Sequence, residues 1–247
     1  MSAASITIDF VVLPAGRFRM GGVPEDKFVT AVELPRHEVE LAAFELARHP
    51  VSRGQWFGGE VEHPELPVTG VSFDEAEAFA RSHGCRLPSE AEWEYACRAG
   101  SATVFSHASV LGVADANFLY DESGAAVGPG AAMPVGSHPP NAFGLHDLLG
   151  NVCEWTADLW HSAYTGAPAD GSPWLDGGKA GHRVIRGGAW DHLPRLLRAS
   201  WRDWAPSSAR WDNLGFRLAR DQGAQGAQQR TTESTESTES TESTEVL

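Results

Sequence analysis

Two carboxylates seven residues apart, Asp147 and Glu154, flank the turn-forming pair Gly150-Asn151 within Asn141–Trp155 (NAFGLHDLLGNVCEW). A tight turn can aim two carboxylates and the carbonyls between them at one point. Such an all-oxygen set suits a hard cation, Ca²⁺ before Mg²⁺. The spacing is not that of an EF-hand. The same residues also suit a core turn in which Asp and Asn cap the backbone. A second concentration lies in residues 183–220, with eight Arg, no Lys, no Glu and three Asp (Asp191, Asp203, Asp212). Trp190, Trp201, Trp204 and Trp211 interleave with those arginines. Arg with Trp suits recognition of anions and aromatic groups, through bidentate hydrogen bonds and stacking. Buried arginines paired with carboxylates, with Trp filling a core, would produce the same composition, and Arg217 leans that way.

The other chemistries leave weaker traces. Ten His form no HxH, HExxH or HxxxH pattern, and His37, His138 and His146 could meet only through the fold. No GxSxG is present and no Cys neighbours a His. Neither GxxxxGK[ST] nor a GxGxxG after a strand occurs, which argues against a nucleotide enzyme.

The elements that must position these residues are short. Ile6–Leu13 and Arg36–Leu41 read as strands, with a short strand in the turn-rich stretch between them. Ser72-Phe-Asp-Glu75 and Ser89-Glu-Ala-Glu92 are capping boxes that open two short helices ending near Gly84 and Gly100. Residues 101–140 are rich in Gly, Ala and Pro without period, and read as loop. Residues 183–220 read as strands broken by Gly and Pro. The fold class is therefore α+β, with two short helices, broken antiparallel strands and long loops.

Length and composition bound the rest. The 247 residues are 42% hydrophobic and 21% charged, with a net charge of −14. One large domain over residues 1–220 is expected, followed by a disordered Ser/Thr/Glu-repeat tail over 221–247. The tail has six acids and one Arg, so it carries −5 and the body −9. Overall acidity argues against nucleic acid. No run of about 18 apolar residues could span a membrane. Cys85, Cys97 and Cys153 are odd in number and well separated. That fits free thiols in a reducing compartment, with the cytoplasm the expected location.

The order of motifs resembles the formylglycine-generating enzyme, or sulfatase-modifying factor, family. The matching pieces include Phe18-Arg-Met-Gly21, Pro35–Val39 (PRHEV), Pro67–Phe73 (PVTGVSF) and Arg86–Ala96 (RLPSEAEWEYA). They continue through Asn141–Asp147 (NAFGLHD), Gly150–Trp155 (GNVCEW), Arg186–Trp190 (RGGAW) and Asn213–Arg217 (NLGFR). The resemblance implies a C-type-lectin-like fold, often calcium-stabilised. Carried over, the calcium ligands are the Asp147 and Glu154 carboxylates and the Gly150 and Val152 carbonyls. A second family calcium would begin at Asn117 and Phe118, but the acidic partner expected before Pro134 is missing.

One departure bears on function. The family's oxidases bind copper through two cysteines just after the RGGS strand, since Cu(I) needs soft thiolates. Here that stretch reads Gly188–Arg198 (GAWDHLPRLLR), and no Cys follows Cys153. Copper and formylglycine synthesis are therefore not expected. Cysteine-less relatives include sulfoxide synthases, whose iron-binding His come from a helical domain that would here have to be a separate partner. Others resemble a maturation enzyme of the pyoverdine chromophore. A third group, variable proteins of diversity-generating retroelements, changes its residues between GG[SA]W and LGFR, here Asp191–Asn213. Trp201, Trp204 and Trp211 speak against adenine-directed variation, because changing adenines alone cannot turn an Asn codon into a Trp codon. No redox ligand set is visible, and iron stays open. The expected role is a module for a protein or small-molecule ligand, using Trp190, His192, Arg195, Arg198, Trp201, Arg202, Trp204 and Trp211. The alternative is a cysteine-independent oxidoreductase or accessory maturation enzyme.

A direct consequence concerns thiol oxidation. A sulfatase-type cysteine peptide incubated with the protein, copper and reductant should show no aldehyde product by mass spectrometry. Loss of the thiol mass in that assay refutes the inference from the missing cysteines.

Overall fold

The computed structural model describes residues 6–58, 60–106 and 110–222; the repeat of the 221–247 tail lies outside them. Two antiparallel hairpin-like pairings open the chain. Strand β1 (Phe10–Leu13) pairs with β4 (Phe44–Ala47), and β2 (Gly16–Met20) with β3 (His37–Leu41). The chain closes on its own beginning, because β9 (Ala219–Asp221) pairs with the other edge of β4. A four-stranded sheet runs in the order β7 (Arg202–Pro206), β6 (Lys179–Arg186), β5 (Cys153–Trp160), β8 (Leu214–Gly215).

The α+β class holds, with three differences in detail. A five-residue helix α1 (Arg53–Phe57) joins the two foreseen ones, capped by Ser52 and closed by left-handed Gly58. It lacks any buried residue, so no apolar period marked it. The β5–β8 pairing is parallel rather than antiparallel. The first strand also begins at Phe10 rather than Ile6. The two capping boxes form as read. Ser72 and Glu75 cap α2 (Phe73–Ser82), and Ser89 and Glu92 cap α3 (Glu90–Arg98). Described residues between 101 and 140 form no helix or strand beyond isolated bridges.

The two helices bury different surfaces. Helix α2 lays Phe73, Ala76 and Ala80 against Trp155, Ile185 and Phe216 on one face of the large sheet. Helix α3 lies on the other side of that sheet, and all nine of its residues are buried, four of them charged. Glu90 receives both Nε and Nη2 of Arg202, each at 2.7 Å, and the Tyr164 hydroxyl at 3.0 Å. Glu94 accepts from Arg98 Nε at 2.8 Å, Arg186 Nη2 at 2.5 Å and the Gly21 amide at 2.9 Å. Burial opposes the charge of Glu94, yet Arg98 and Arg186 outweigh it and hold its pKa below the ordinary carboxylate value. Removing one member of such a buried pair typically costs about 3–5 kcal/mol, since the other charge is left uncompensated.

Local geometry requires a glycine within both the RGG and the GN turns. Gly188 has φ +69°, and a Cβ there would lie 2.7 Å from the Leu196 carbonyl oxygen. Gly150 has φ +81°, and a Cβ would lie 2.4 Å from the Asn117 carbonyl oxygen. Left-handed backbone and close approach together admit only glycine at both.

Asp158 on β5 accepts the backbone N–H of Glu90 at 2.7 Å and of Trp174 at 2.8 Å. It thereby seats the first turn of α3. Burial, with a smaller push from Glu90, raises its pKa to about 7. In the unfolded chain an Asp titrates near 4. Between those values the folded chain holds a proton that the unfolded chain has lost. Asp158 therefore makes stability decline as pH rises from about 4 to about 7. Asp158→Asn should flatten that part of the profile, read as urea midpoints at both ends of the window. Parallel profiles for wild type and variant would show that Asp158 is ionised in the fold.

Candidate functional site

The segment after the Gly187-Gly188 turn is held from below. The Trp190 N–H donates to the Asn151 carbonyl at 2.9 Å, and the Trp190 carbonyl accepts from the Leu119 N–H at 2.6 Å. Asp191 then accepts two hydrogen bonds from the Asn213 amide, at 2.9 and 3.1 Å. That contact joins the two ends of the 191–213 window. His192 stands edge-on to Trp201, with ring centroids 5.6 Å apart. Its Nδ1 is buried and has no hydrogen-bond partner. Burial pulls the His192 pKa below the ordinary imidazole value, against the opposite pull of Asp191 and Asp203. The ring is therefore neutral near pH 7, with two carboxylates near it.

Asp203 on strand β7 is near enough to His192 for each to shift the other's pKa. Burial raises its pKa, offset by the Trp204 amide that it binds and by His192. Below it lies Cys153, whose pKa is pushed well above the usual thiol value by burial and by Asp191, Asp203 and Glu154. A thiol held protonated in this way is a weak nucleophile. Trp211 is 43% exposed and precedes Asn213 by two residues.

The eight residues read from the sequence as one surface separate. Trp190 and His192 flank Asp191 in the chain, and Trp211 is exposed two residues before Asn213. Arg195 lies on the surface, where its N–H and Nη1 donate to Glu122 at 2.6 and 3.1 Å. Arg198 and Arg202 are corrections: both are buried, not facing a partner. Arg198 binds Asp26 at 2.5 Å and Glu33 at 2.7 and 2.8 Å. Arg202 is clamped by Glu90 and lies over the Trp160 and Tyr164 rings. Trp201 is core, 7% exposed. Trp204 points to the sheet face opposite Asp203, where Lys179 lies 4.2 Å above its ring centroid and His182 meets its edge.

These placements reverse the sign of the surface. The window counted as basic, but Arg186, Arg198, Arg202 and Arg217 are buried, Arg195, Arg210 and Arg220 meet Glu122, Glu75 and Glu45, and half-buried Arg183 donates to the Ala157 carbonyl over the Phe73 ring. The carboxylates Asp191 and Asp203 remain, with only neutral hydrogen-bond donors. Sequence reasoning weighed both as counter-charges and passed over them as site residues. The signal available was the position of Asp191 just after the RGG turn; nothing local marked Asp203.

The oxygen-rich turn serves another purpose. Glu154 is wholly buried and accepts Arg217 Nε at 2.6 Å, Arg217 Nη2 at 2.7 Å and Trp93 Nε1 at 2.8 Å. Arg217 continues to the Ala47 and His146 carbonyls at 3.2 and 2.9 Å. Asp147 has φ +57° and accepts the Gly136 N–H at 2.7 Å. Burial raises the pKa of Asp147 despite that amide and despite Arg217. A calcium ion on Asp147, Glu154 and the Gly150 and Val152 carbonyls would meet a carboxylate already occupied by a guanidinium. The residues as placed do not fit that ion. Asn117 keeps a buried Oδ1 without a partner, but the acidic companion is missing from the sequence there.

Residues 57–222 match the sulfatase-modifying factor enzyme 1-like domain. The chain belongs to this family. It is 34% identical to the formylglycine-generating enzyme of Bos taurus, over 70% of this chain and 50% of that protein. It is 31% identical to the hercynine oxygenase of Mycolicibacterium smegmatis, over 85% of this chain and 64% of that protein. The chain thus spans less than two thirds of the length of these curated relatives. Among solved structures, PvdO from Pseudomonas aeruginosa matches nearly end to end. Its TM-score is 0.76 at 34% identity, over 86% of this chain and 94% of PvdO. Treponema denticola variable protein 1 shares the C-type-lectin-like fold at a TM-score of 0.72 and 21% identity, over 90% of this chain and 98% of that one. No helix among the described residues is long and apolar enough to cross a membrane.

The Glu154–Arg217 pairing has a measurable consequence. Adding calcium to chelator-treated protein should leave its melting temperature unchanged, because an ion at this turn would have to displace the Arg217 guanidinium from Glu154. A calcium-dependent rise that Asp147→Ala abolishes would restore the turn as a cation site.

Proposed function

We propose that this chain is a ligand-recognition domain whose mouth is formed by Asp191, His192, Asp203, Trp190 and Trp211, and that its ligand is small and carries a cationic group. The observation behind it is the inverted surface. All the arginines of the window but half-buried Arg183 are buried or paired with a carboxylate, and Asp191 and Asp203 lie near a neutral imidazole with Trp190 and Trp211 close by in the chain. Carboxylates and Trp faces both attract ammonium groups, by charge and by cation–π interaction. The similarity to hercynine oxygenases supports this reading, since hercynine is a trimethylammonium zwitterion bearing an imidazole. No Cys stands beside the mouth except the buried Cys153, so the ligand does not depend on a copper–thiolate centre there.

One feature favours a second, catalytic reading. A neutral His192 near Asp191 and Asp203 can accept a proton, and its Nδ1 has no competing partner. This would be cysteine-independent chemistry on a bound ligand, without a redox step assigned to this chain.

Calorimetric titration with hercynine, choline and citrate separates the alternatives. Hercynine should bind saturably and citrate should not. Asp191→Ala should weaken hercynine at least tenfold while leaving the fold intact, since 1.4 kcal/mol is one decade. Tight citrate binding, or no response to either cation at millimolar concentration, overturns the cationic reading.

A further inference from the structure

A cavity of about 660 Å³ lies elsewhere on the molecule, and none of Asp191, His192, Asp203 or Asn213 lines it. Its walls are Phe28, Phe105, Leu111, Phe118, Val127 and Pro194. The volume lies within the range of small-molecule sites, and so does an apolar lining with few polar groups. The apolar surface is not confined to the walls. Val110, Val113 and Val127 are 79%, 47% and 44% exposed at its rim. A contiguous exposed patch of this kind marks a binding surface more often than scattered single residues do.

The cavity is braced by one short stretch, Pro194–Ala199. Arg198 donates to Asp26 Oδ2 at 2.5 Å, and the other Asp26 oxygen accepts the Phe28 N–H at 2.9 Å. The wall that carries Phe28 is thus tied to a buried guanidinium. The Ala199 N–H donates to the Val104 carbonyl at 3.0 Å, which ties the wall that carries Phe105. Arg195 binds Glu122 through both backbone and side chain, which ties the third wall. Pro194 itself closes the floor between them. Three walls fixed to one stretch make a preformed cavity, and preformed cavities bind with less ordering cost.

The charges at the rim select the occupant. Glu122 is neutralised by Arg195. Asp121 keeps its charge, but its Oδ1 is held by the Ser123 N–H, the Ser123 hydroxyl and the Ala125 N–H of its own turn. Lys27 differs from both. Among the described residues its ammonium meets no carboxylate, only the Phe28 ring at 4.9 Å. We propose that this cavity binds a small apolar anion, a ring or short acyl chain bearing one carboxylate or sulfonate, with the apolar body among the Phe side chains and the charge on Lys27. The site is separate from the proposed cation-binding mouth and does not depend on it.

Fluorescence titration of the full chain with 1-anilinonaphthalene-8-sulfonate tests this, with uncharged N-phenyl-1-naphthylamine as its partner probe. The sulfonate should bind saturably and at least tenfold more tightly than the neutral probe. Octanoate should displace it and octanol should not. Lys27→Ala should erase the tenfold preference, and Val127→Asp should abolish binding of both probes. Melting temperatures measured alongside should be unchanged, because both positions are exposed. Equal affinity for the two probes overturns the anion assignment. Unaltered binding in Val127→Asp and Val113→Asp places the probe elsewhere and removes the site.

Discussion

A guanidinium enters a protein interior only when its charge meets a carboxylate and its N–H groups meet acceptors. This fold does so five times, once between neighbours on α3, where Arg98 meets Glu94, and four times across the chain. Arg186, Arg198, Arg202 and Arg217 are each almost inaccessible, and each is answered by buried Glu or Asp. The carboxylates come from distant parts of the chain: Asp26 and Glu33 from the first loop, Glu90 and Glu94 from α3, Glu154 from β5. Long loops with little regular structure need such ties, because they have few backbone ladders of their own. Charge pairs are also directional, so they fix register where apolar packing alone would tolerate sliding.

That constraint shapes the surface as much as the interior. Once the arginines of the C-terminal window are committed inward, the exposed charge there belongs to the acids. The same interior pairing reaches the apolar cavity, since Arg198 holds the loop that presents Phe28. Two surfaces of opposite preference, one acidic and aromatic, one apolar with a lone ammonium, thus depend on residues that neither surface displays.

Local signals were legible in the residues, and long-range partners were not. The capping boxes at Ser72 and Ser89 identified α2 and α3, because a cap depends only on residues three apart. The eight ordered motifs pointed to the family and its fold. What could not be read was which way Arg198 and Arg202 point. Their direction is set by Glu33 and Glu90, more than a hundred residues away in sequence, and composition counts a buried Arg and an exposed one alike. The partner of Glu154 is Arg217, which no local spacing reveals. Helix α1 escaped notice because it buries no residue and so has no period.

The pairing of β4 with both the first and the last strand carries a kinetic consequence. During synthesis β1 and β4 can zip together early, but the far edge of β4 stays open until residues 219–221 emerge. Loop closure of that span is entropically costly and slow, so folding cannot complete before nearly the whole domain is made. Until then an unpaired strand edge is exposed to other chains, a recognised route to aggregation. Shortening the domain by the few residues of β9 would make that transient edge permanent.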